Sequence, residues 1–192
     1  MQFILLFIWF FVILFCNYLL KMLRNQYLFL IGGSGRNVGK TTFACMLIEN
    51  LSKNNNVIGV KISNIKPDDT SFHGFHEKGI EGNYEIFEET GFGEKDSHRM
   101  LSAAASRSFF IRTTDSFVEE AFNNLLKQLG NDSLIVCESN SLRKFVIPKV
   151  FVMVGSEKES KKPGTKANFK KADFIVGAMD LEGFMEVVQD LV

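Results

Sequence analysis

The chain has 192 residues, 46% hydrophobic and 23% charged, a length and composition suited to one globular domain with its own buried core. Its 22 Lys and Arg balance 22 Asp and Glu, so the zero net charge supplies no overall basic field for nucleic acid, and no local basic patch replaces it. The cysteines Cys16, Cys45 and Cys137 are far apart and form no CxxC pair. Cys45 and Cys137 fall in expected core elements and read as buried, reduced thiols of a cytoplasmic domain.

The first element is a compositional anomaly. From Phe3 to Leu20 only Asn17 interrupts an apolar run, and Lys21 and Arg24 come directly after it. That is the length of a membrane-spanning helix, and the positive-inside rule would leave the rest of the chain in the cytoplasm. The run lacks a basic n-region and a small-residue cleavage site, which argues against a cleaved signal peptide. Three readings stand. Residues 1–21 are a membrane anchor, or Met22 is the true start and the upstream stretch is translated AT-rich non-coding DNA, or the run is a core element. A membrane is a partner only if residues 1–21 belong to the natural protein, and residues 22–192 form a domain facing the cytoplasm.

The remainder alternates strands and helices, the pattern of an α/β domain with a mainly parallel sheet. Residues 27–31 form a short apolar strand ending at glycines, and Lys40–Leu51 carries Phe43, Met46, Leu47 and Leu51 at helical spacing. A polar turn at residues 53–56 leads to a strand over 57–62. The pattern is lost over 63–95 apart from a short strand at Tyr84–Glu88, and a loop of that length is a candidate functional segment. A helix is expected over 96–105 with Asp96 as its N-cap, then a strand over 108–112. Thr114 or Asp115 caps the next helix, which runs to Gln128. Residues 133–137 are wholly apolar after Ser133, as in a strand buried on both faces. Strands over 149–154 and 174–176, a basic mobile loop over 157–171 and a closing helix over 181–191 complete the chain.

The chemistry concentrates between the first strand and first helix, in Gly32-Gly33-Ser34-Gly35-Arg36-Asn37-Val38-Gly39-Lys40-Thr41-Thr42. Glycines there let backbone N–H groups converge on phosphate oxygens, and the adjoining helix presents its positive end to them. In this strand–loop–helix setting the segment reads as a P-loop, with Gly33 to Thr42 as nucleotide-binding residues. Lys40 neutralises the β- and γ-phosphates and the Thr41 hydroxyl holds Mg²⁺. The spacing departs from GxxxxGK followed by Ser or Thr, which would place glycine where Ser34 stands. Glu138 ends the most apolar strand, at the sheet edge where parallel α/β domains bind ligands, and is a candidate for Mg²⁺ coordination and catalysis.

Taken in order, Gly39-Lys40-Thr41-Thr42, Val57-Ile58-Gly59-Val60-Lys61, Gly93-Glu94-Lys95-Asp96-Ser97-His98-Arg99 with Ala103-Ala104-Ala105, and Leu134-Ile135-Val136-Cys137-Glu138 resemble the molybdopterin-guanine dinucleotide biosynthesis protein B family (MobB). That family shows a GKTT loop, a VGVVK strand, a GKDSYRHREAGA-like segment and an LVEG strand end. The loop GSGRNVGKT is also similar to the GTDTxVGKT loop of dethiobiotin synthetases, where a lysine after the second strand aids phosphoryl or carboxyl chemistry; Lys61 matches it. The resemblance implies a three-layer α/β P-loop NTPase fold and a Mg²⁺–nucleotide site of Gly39, Lys40, Thr41, Thr42 and Glu138, with Asp96 near the metal and Lys61 as a catalytic candidate. In this chain Glu138 is followed by Ser139-Asn140 rather than glycine, and Ile62-Ser63-Asn64 stand where MobB has two histidines.

Weaker signals carry bland readings beside functional ones. His73, His76 and Glu77 could ligate a metal or be solvated, and Asp68 and Asp69 could be switch carboxylates or a polar turn. The basic run 158–171 could touch a nucleotide or be solvated, and Thr165-Lys166-Ala167-Asn168 only superficially resembles a guanine-reading box. The expected function is Mg²⁺-dependent binding of ATP or GTP with hydrolysis or phosphoryl transfer in cofactor biosynthesis. The alternatives are a slow MobB-like adaptor for a cofactor-biosynthesis enzyme and a dethiobiotin-synthetase-like ligase. A homodimer is an open partner expectation.

Overall fold

The structure is a computed structural model that describes residues 23–65, 83–91, 93–129, 133–160, 162–177 and 184. It is an α/β domain built on a seven-stranded sheet: β1 (Leu23–Gly33), β2 (Val57–Asn64), β3 (Tyr84–Glu88), β4 (Arg107–Thr113), β5 (Leu134–Glu138), β6 (Val146–Val154) and β7 (Phe174–Val176). The spatial order is β3-β4-β2-β5-β1-β6-β7, parallel throughout except for β3, which runs antiparallel to β4 at one edge. Helices α1 (Lys40–Leu51), α2 (Asp96–Ser102), α3 (Val118–Gln128) and α4 (Pro163–Phe169) cover it.

Strand periodicity sorts side chains between the two faces. In β1, Leu28 and Leu30 point into one apolar cluster with Val118, Ala121, Phe122 and Leu125 of α3 and Phe169 of α4. Phe29 and Ile31 point into the other, with Phe43, Ala44, Leu47 and Ile48 of α1 and Met100 of α2. Two cores on opposite faces of one sheet make three layers. The strand β5 lies between β2 and β1 and is buried along its whole length, which is why its sequence is continuously apolar up to Glu138. Close approach of α2 to the sheet depends on Gly59, where a Cβ would sit 2.8 Å from that of Met100.

Several expectations require correction. The strand β1 starts at Leu23 rather than 27 and β6 at Val146 rather than 149, because their first residues pair with each other. The ladder shifts register between Asn25 and Phe29, beside Pro148, which has no N–H to donate. The helix expected over 96–105 ends at Ser102, and Ala104 turns the chain with φ 69°. A 3₁₀ turn at Asp115–Phe117 precedes α3, and no side chain caps either element, so neither Thr114 nor Asp115 acts as the expected cap. The basic stretch is not a loop throughout: it holds a 3₁₀ turn at Glu157–Glu159 and α4. Pro163 starts α4, and Phe169 is the one large apolar residue it buries, too sparse a signal to show helical periodicity.

Residues 1–22, Cys16, Asp68, Asp69, His73, His76 and Glu77 lie outside the described residues. So does the closing helix apart from Phe184, which packs against Phe43 and Phe174 with ring centroids 5.1 and 5.0 Å away. No helix among the described residues is long and apolar enough to cross a membrane.

Candidate functional site

The site forms where β1, β2 and β5 end and α1 begins. Leaving β1, the chain is held on two sides. The Ser34 N–H donates to the Val154 carbonyl at 3.0 Å. Asn140, just past β5, clamps Gly33 by accepting from its N–H at 2.9 Å and donating to its carbonyl at 3.1 Å. Asn37 and Gly39 then adopt left-handed φ of 57° and 94°, which turn the loop over the start of α1. The first backbone bond of that helix runs from the Phe43 N–H to the Gly39 carbonyl at 2.9 Å, and no side chain caps the end. The amides of Lys40, Thr41 and Thr42 are therefore free of the helix ladder and face outward with partial positive charge.

Ser34 explains the unusual glycine spacing. It is buried, and its hydroxyl lies against Gly155, whose φ of 98° and missing side chain leave the room it needs. The glycine that makes room at this point stands at the end of the adjacent strand rather than in the loop. Gly155→Ala should therefore combine left-handed strain with a collision against Ser34. Its expected cost is about 1–3 kcal/mol, seen as a lowered denaturation midpoint. An unchanged midpoint would show that the loop does not rest on this contact.

The floor of the site is set by register and parity. Lys61 pairs directly with Glu138 across β2 and β5, and Ile31 pairs with Glu138 across β1 and β5. Both Lys61 and Glu138 lie on the sheet face of Val57 and Val136, which α1 covers. The Glu138 carboxylate, 2% exposed, accepts from the Thr41 hydroxyl at 2.7 Å and from the Lys61 ammonium at 2.5 Å. Lys61 also reaches Asp96 Oδ2 at 2.7 Å. Burial of a carboxylate this deep requires a paired counter-charge and further hydrogen bonds, and both are present.

Burial pulls Lys61 toward the neutral form, but the Glu138 charge and the hydrogen bonds to both carboxylates outweigh it and raise its pKa above 10.5. Burial acts against the Asp96 charge, yet bonding to Lys61 wins and holds its pKa below 3.8. Asp96 does not cap α2. Lys95 occupies the N-cap position, and Asp96, the first helical residue, turns its carboxylate to Lys61 instead.

Lys40 folds back over its own loop and donates to the Gly35 carbonyl at 2.5 Å. Burial lowers its pKa, against the opposing pull of Glu138. The Cys137 thiol is likewise pushed far up by burial, which leaves it an inert core residue, while Cys45 is only half-buried.

These groups open onto a cleft of about 1050 Å³. Of the sequence-predicted loop residues, Arg36, Asn37, Gly39, Lys40, Thr41 and Thr42 line it, together with Lys61, Asp96 and Glu138. Gly33, Ser34, Gly35 and Val38 do not line it; they shape the turn. The cleft is lined further by Asn64, Arg112 and Lys144, and by Lys162 and Thr165 at the start of α4. Asn168 faces the protein rather than the cleft and donates to the Asn140 carbonyl at 2.8 Å. The guanine-box likeness therefore has no ligand-facing fourth residue.

Three contributors escape sequence reading. Asn140 looked only like a departure from glycine, and its clamp on Gly33 depends on a partner 107 positions away. Arg99 reaches from α2 to the Thr42 hydroxyl at 3.3 Å. Glu89 braces the start of α2 by accepting from the Ser97 hydroxyl and contacting His98 Nε2, both at 2.5 Å.

The oxygen donors Thr41, Glu138 and Asp96 suit a hard cation such as Mg²⁺, which uses one or two carboxylates and completes its shell with phosphate and water. Among the described residues no group of three or more His, Cys, Asp or Glu gathers as a self-sufficient metal cage. Compared with protein-family models, curated proteins and solved structures, the chain matches none.

Proposed function

We propose that this chain is a P-loop nucleotide-binding protein that takes ATP or GTP with Mg²⁺ and hydrolyses it or transfers its terminal phosphoryl group. One observation carries the reading: the Thr41 hydroxyl, in the first turn of an uncapped helix, is hydrogen-bonded to the buried Glu138 carboxylate at 2.7 Å. A helix-end hydroxyl and a strand-end acid brought together beside a flexible cation, Lys40, form a set suited to a phosphate–metal complex.

The loop amides and the amides of Lys40, Thr41 and Thr42 bind the phosphate chain. Lys40 exchanges its bond to the Gly35 carbonyl for the β- and γ-phosphate oxygens, and Arg99 adds charge from the α2 side. Thr41 and Glu138 would hold Mg²⁺, with Asp96 as a further carboxylate beside them. When bound, the metal neutralises charge developing on the transferred phosphoryl group. The protein's own contribution is positioning and electrostatic stabilisation, not covalent chemistry.

A slow, adaptor-like protein is the second reading, favoured by one feature. Lys61 engages both carboxylates at the floor, which leaves neither placed there as a base for an attacking water. A place in cofactor biosynthesis rests on the motif resemblance to MobB and dethiobiotin synthetases.

Calorimetric titration with ATP and GTP, with and without Mg²⁺, tests binding, and phosphate release measured alongside separates the two readings. Micromolar, Mg²⁺-dependent binding of either nucleotide is expected. No heat with either one would end the proposal.

A further inference from the structure

The second strand places a lysine where the chemistry of the site calls for a metal. Lys61 Nζ lies 2.5 Å from Glu138 Oε1 and 2.7 Å from Asp96 Oδ2, and Thr41 Oγ1 bonds the other Glu138 oxygen at 2.7 Å. All three oxygen-bearing residues proposed for Mg²⁺ thus converge on one ammonium group or on the carboxylate it neutralises. The side chain of Lys61 is 15% exposed, so its charge is held inside the site rather than in solvent. A divalent cation and this ammonium cannot share the two carboxylates without strong mutual repulsion at a few ångströms.

We propose that Lys61 is the resident counter-ion of the cation site, and that Mg²⁺ binds by displacing its ammonium from Glu138 and Asp96. This rests on the nucleotide reading and adds a rule of order to it. Without phosphate, Lys61 has no better anion than the carboxylates and keeps metal out. Incoming phosphate oxygens offer the ammonium a new partner a short swing away, which releases the carboxylates. Metal and phosphate therefore enter together, and Lys61 ends beside the phosphates as a charge-stabilising group. No bond is made or broken in this exchange; one cation replaces another on the same oxygens. The Lys61 stem supplies the needed freedom, since its flexible four-carbon chain separates its charge from β2.

Mn²⁺ is the probe, its binding followed by water-proton relaxation and electron paramagnetic resonance, with and without inorganic triphosphate. In the absence of triphosphate, Lys61→Met should bind Mn²⁺ at least about tenfold more tightly than the wild type, because the competing charge is gone. Lys61→Arg should bind it more weakly, since a guanidinium holds carboxylates in a fixed fork. With triphosphate the difference between wild type and Lys61→Met should shrink. Adding Glu138→Gln to Lys61→Met should abolish the gain and so place it at this site.

Equal Mn²⁺ affinity across wild type, Lys61→Met and Lys61→Arg would overturn the proposal, as would a gain that survives Glu138→Gln. Should Lys61→Met fold only in the presence of Mn²⁺, that rescue supports the exchange, and Lys61→Arg still reports its opposite arm. The two readings fail separately. Normal triphosphate and nucleotide binding with flat Mn²⁺ affinities removes the counter-ion and keeps the nucleotide site. The Mn²⁺ ordering without any nucleotide binding does the reverse.

Discussion

Lys40→Ala is expected to weaken nucleotide binding by about 2–5 kcal/mol, the usual penalty for truncating one partner of a desolvated charge pair. That corresponds to roughly a thirtyfold loss or more in affinity, read by the same calorimetric titration. Lys40 is the loop's one ammonium, set between Gly35 and the floor of the site, and it stands nearest the loop amides that would hold the phosphates. The fold should survive. Lys40 contributes one hydrogen bond to Gly35, worth about 1 kcal/mol. Burial depresses its pKa below 10.5, so its charged form is less favourable in the folded than in the unfolded chain, and removing it relieves that cost. The denaturation midpoint of Lys40→Ala should therefore stay close to that of the wild type while affinity falls. Undiminished affinity would mean that the loop does not hold phosphate.

Lys61→Met is expected to destabilise the protein by about 3–5 kcal/mol in metal-free buffer, because it leaves the buried Glu138 carboxylate without its counter-charge. For a domain of this size that lowers the melting temperature by roughly 2–4 °C per kcal/mol. Replacing both partners, as Lys61→Met with Glu138→Gln, should recover much of the loss, since no uncompensated charge then remains.

The pH dependence has a defined sign. The folded pKa of Lys61 is raised, so its contribution is fully present below the ordinary lysine value of 10.5 and is lost as pH climbs through the higher folded value. That of Asp96 is lowered, so its share is present above 3.8 and is lost as pH falls through the lower folded value. Between 3.8 and 10.5 neither of these two groups should change the gap between wild type and Lys61→Met, which should narrow at the alkaline end. Scanning calorimetry across this range measures it. A gap near zero at neutral pH would show that Glu138 finds its compensation elsewhere.

Much of the architecture is written locally. The continuous apolar run of β5, the two-residue alternation in β1 and the helical spacing in α1 each record a burial pattern that the chain must satisfy wherever its neighbours lie. The existence of β3 and the parallel core strands were legible for the same reason, whereas the antiparallel pairing of β3 with β4 at the sheet edge was not. The helix α4 was not, because a single buried Phe169 among lysines leaves no periodic trace. Nor was the start of β1 at Leu23, which depends on pairing with Val146 across the chain.

The glycine-rich loop, its lysine and threonine, and the lone acid closing β5 were determined by the sequence itself, because residue type at a strand or helix end limits what that end can bind. Only the tertiary structure decided how they meet. The β2–β5 register sets Lys61 beside Glu138, and α2 turns Asp96 onto the same ammonium. Asn140 closes on Gly33 from 107 positions away, and Gly155 makes room for Ser34. Each is a contact between distant residues, and its energy depends on distance and burial rather than on neighbouring letters. The sequence could name the parts of the proposed phosphate site. That the lysine of β2 engages both carboxylates there emerges only when the strands are laid side by side.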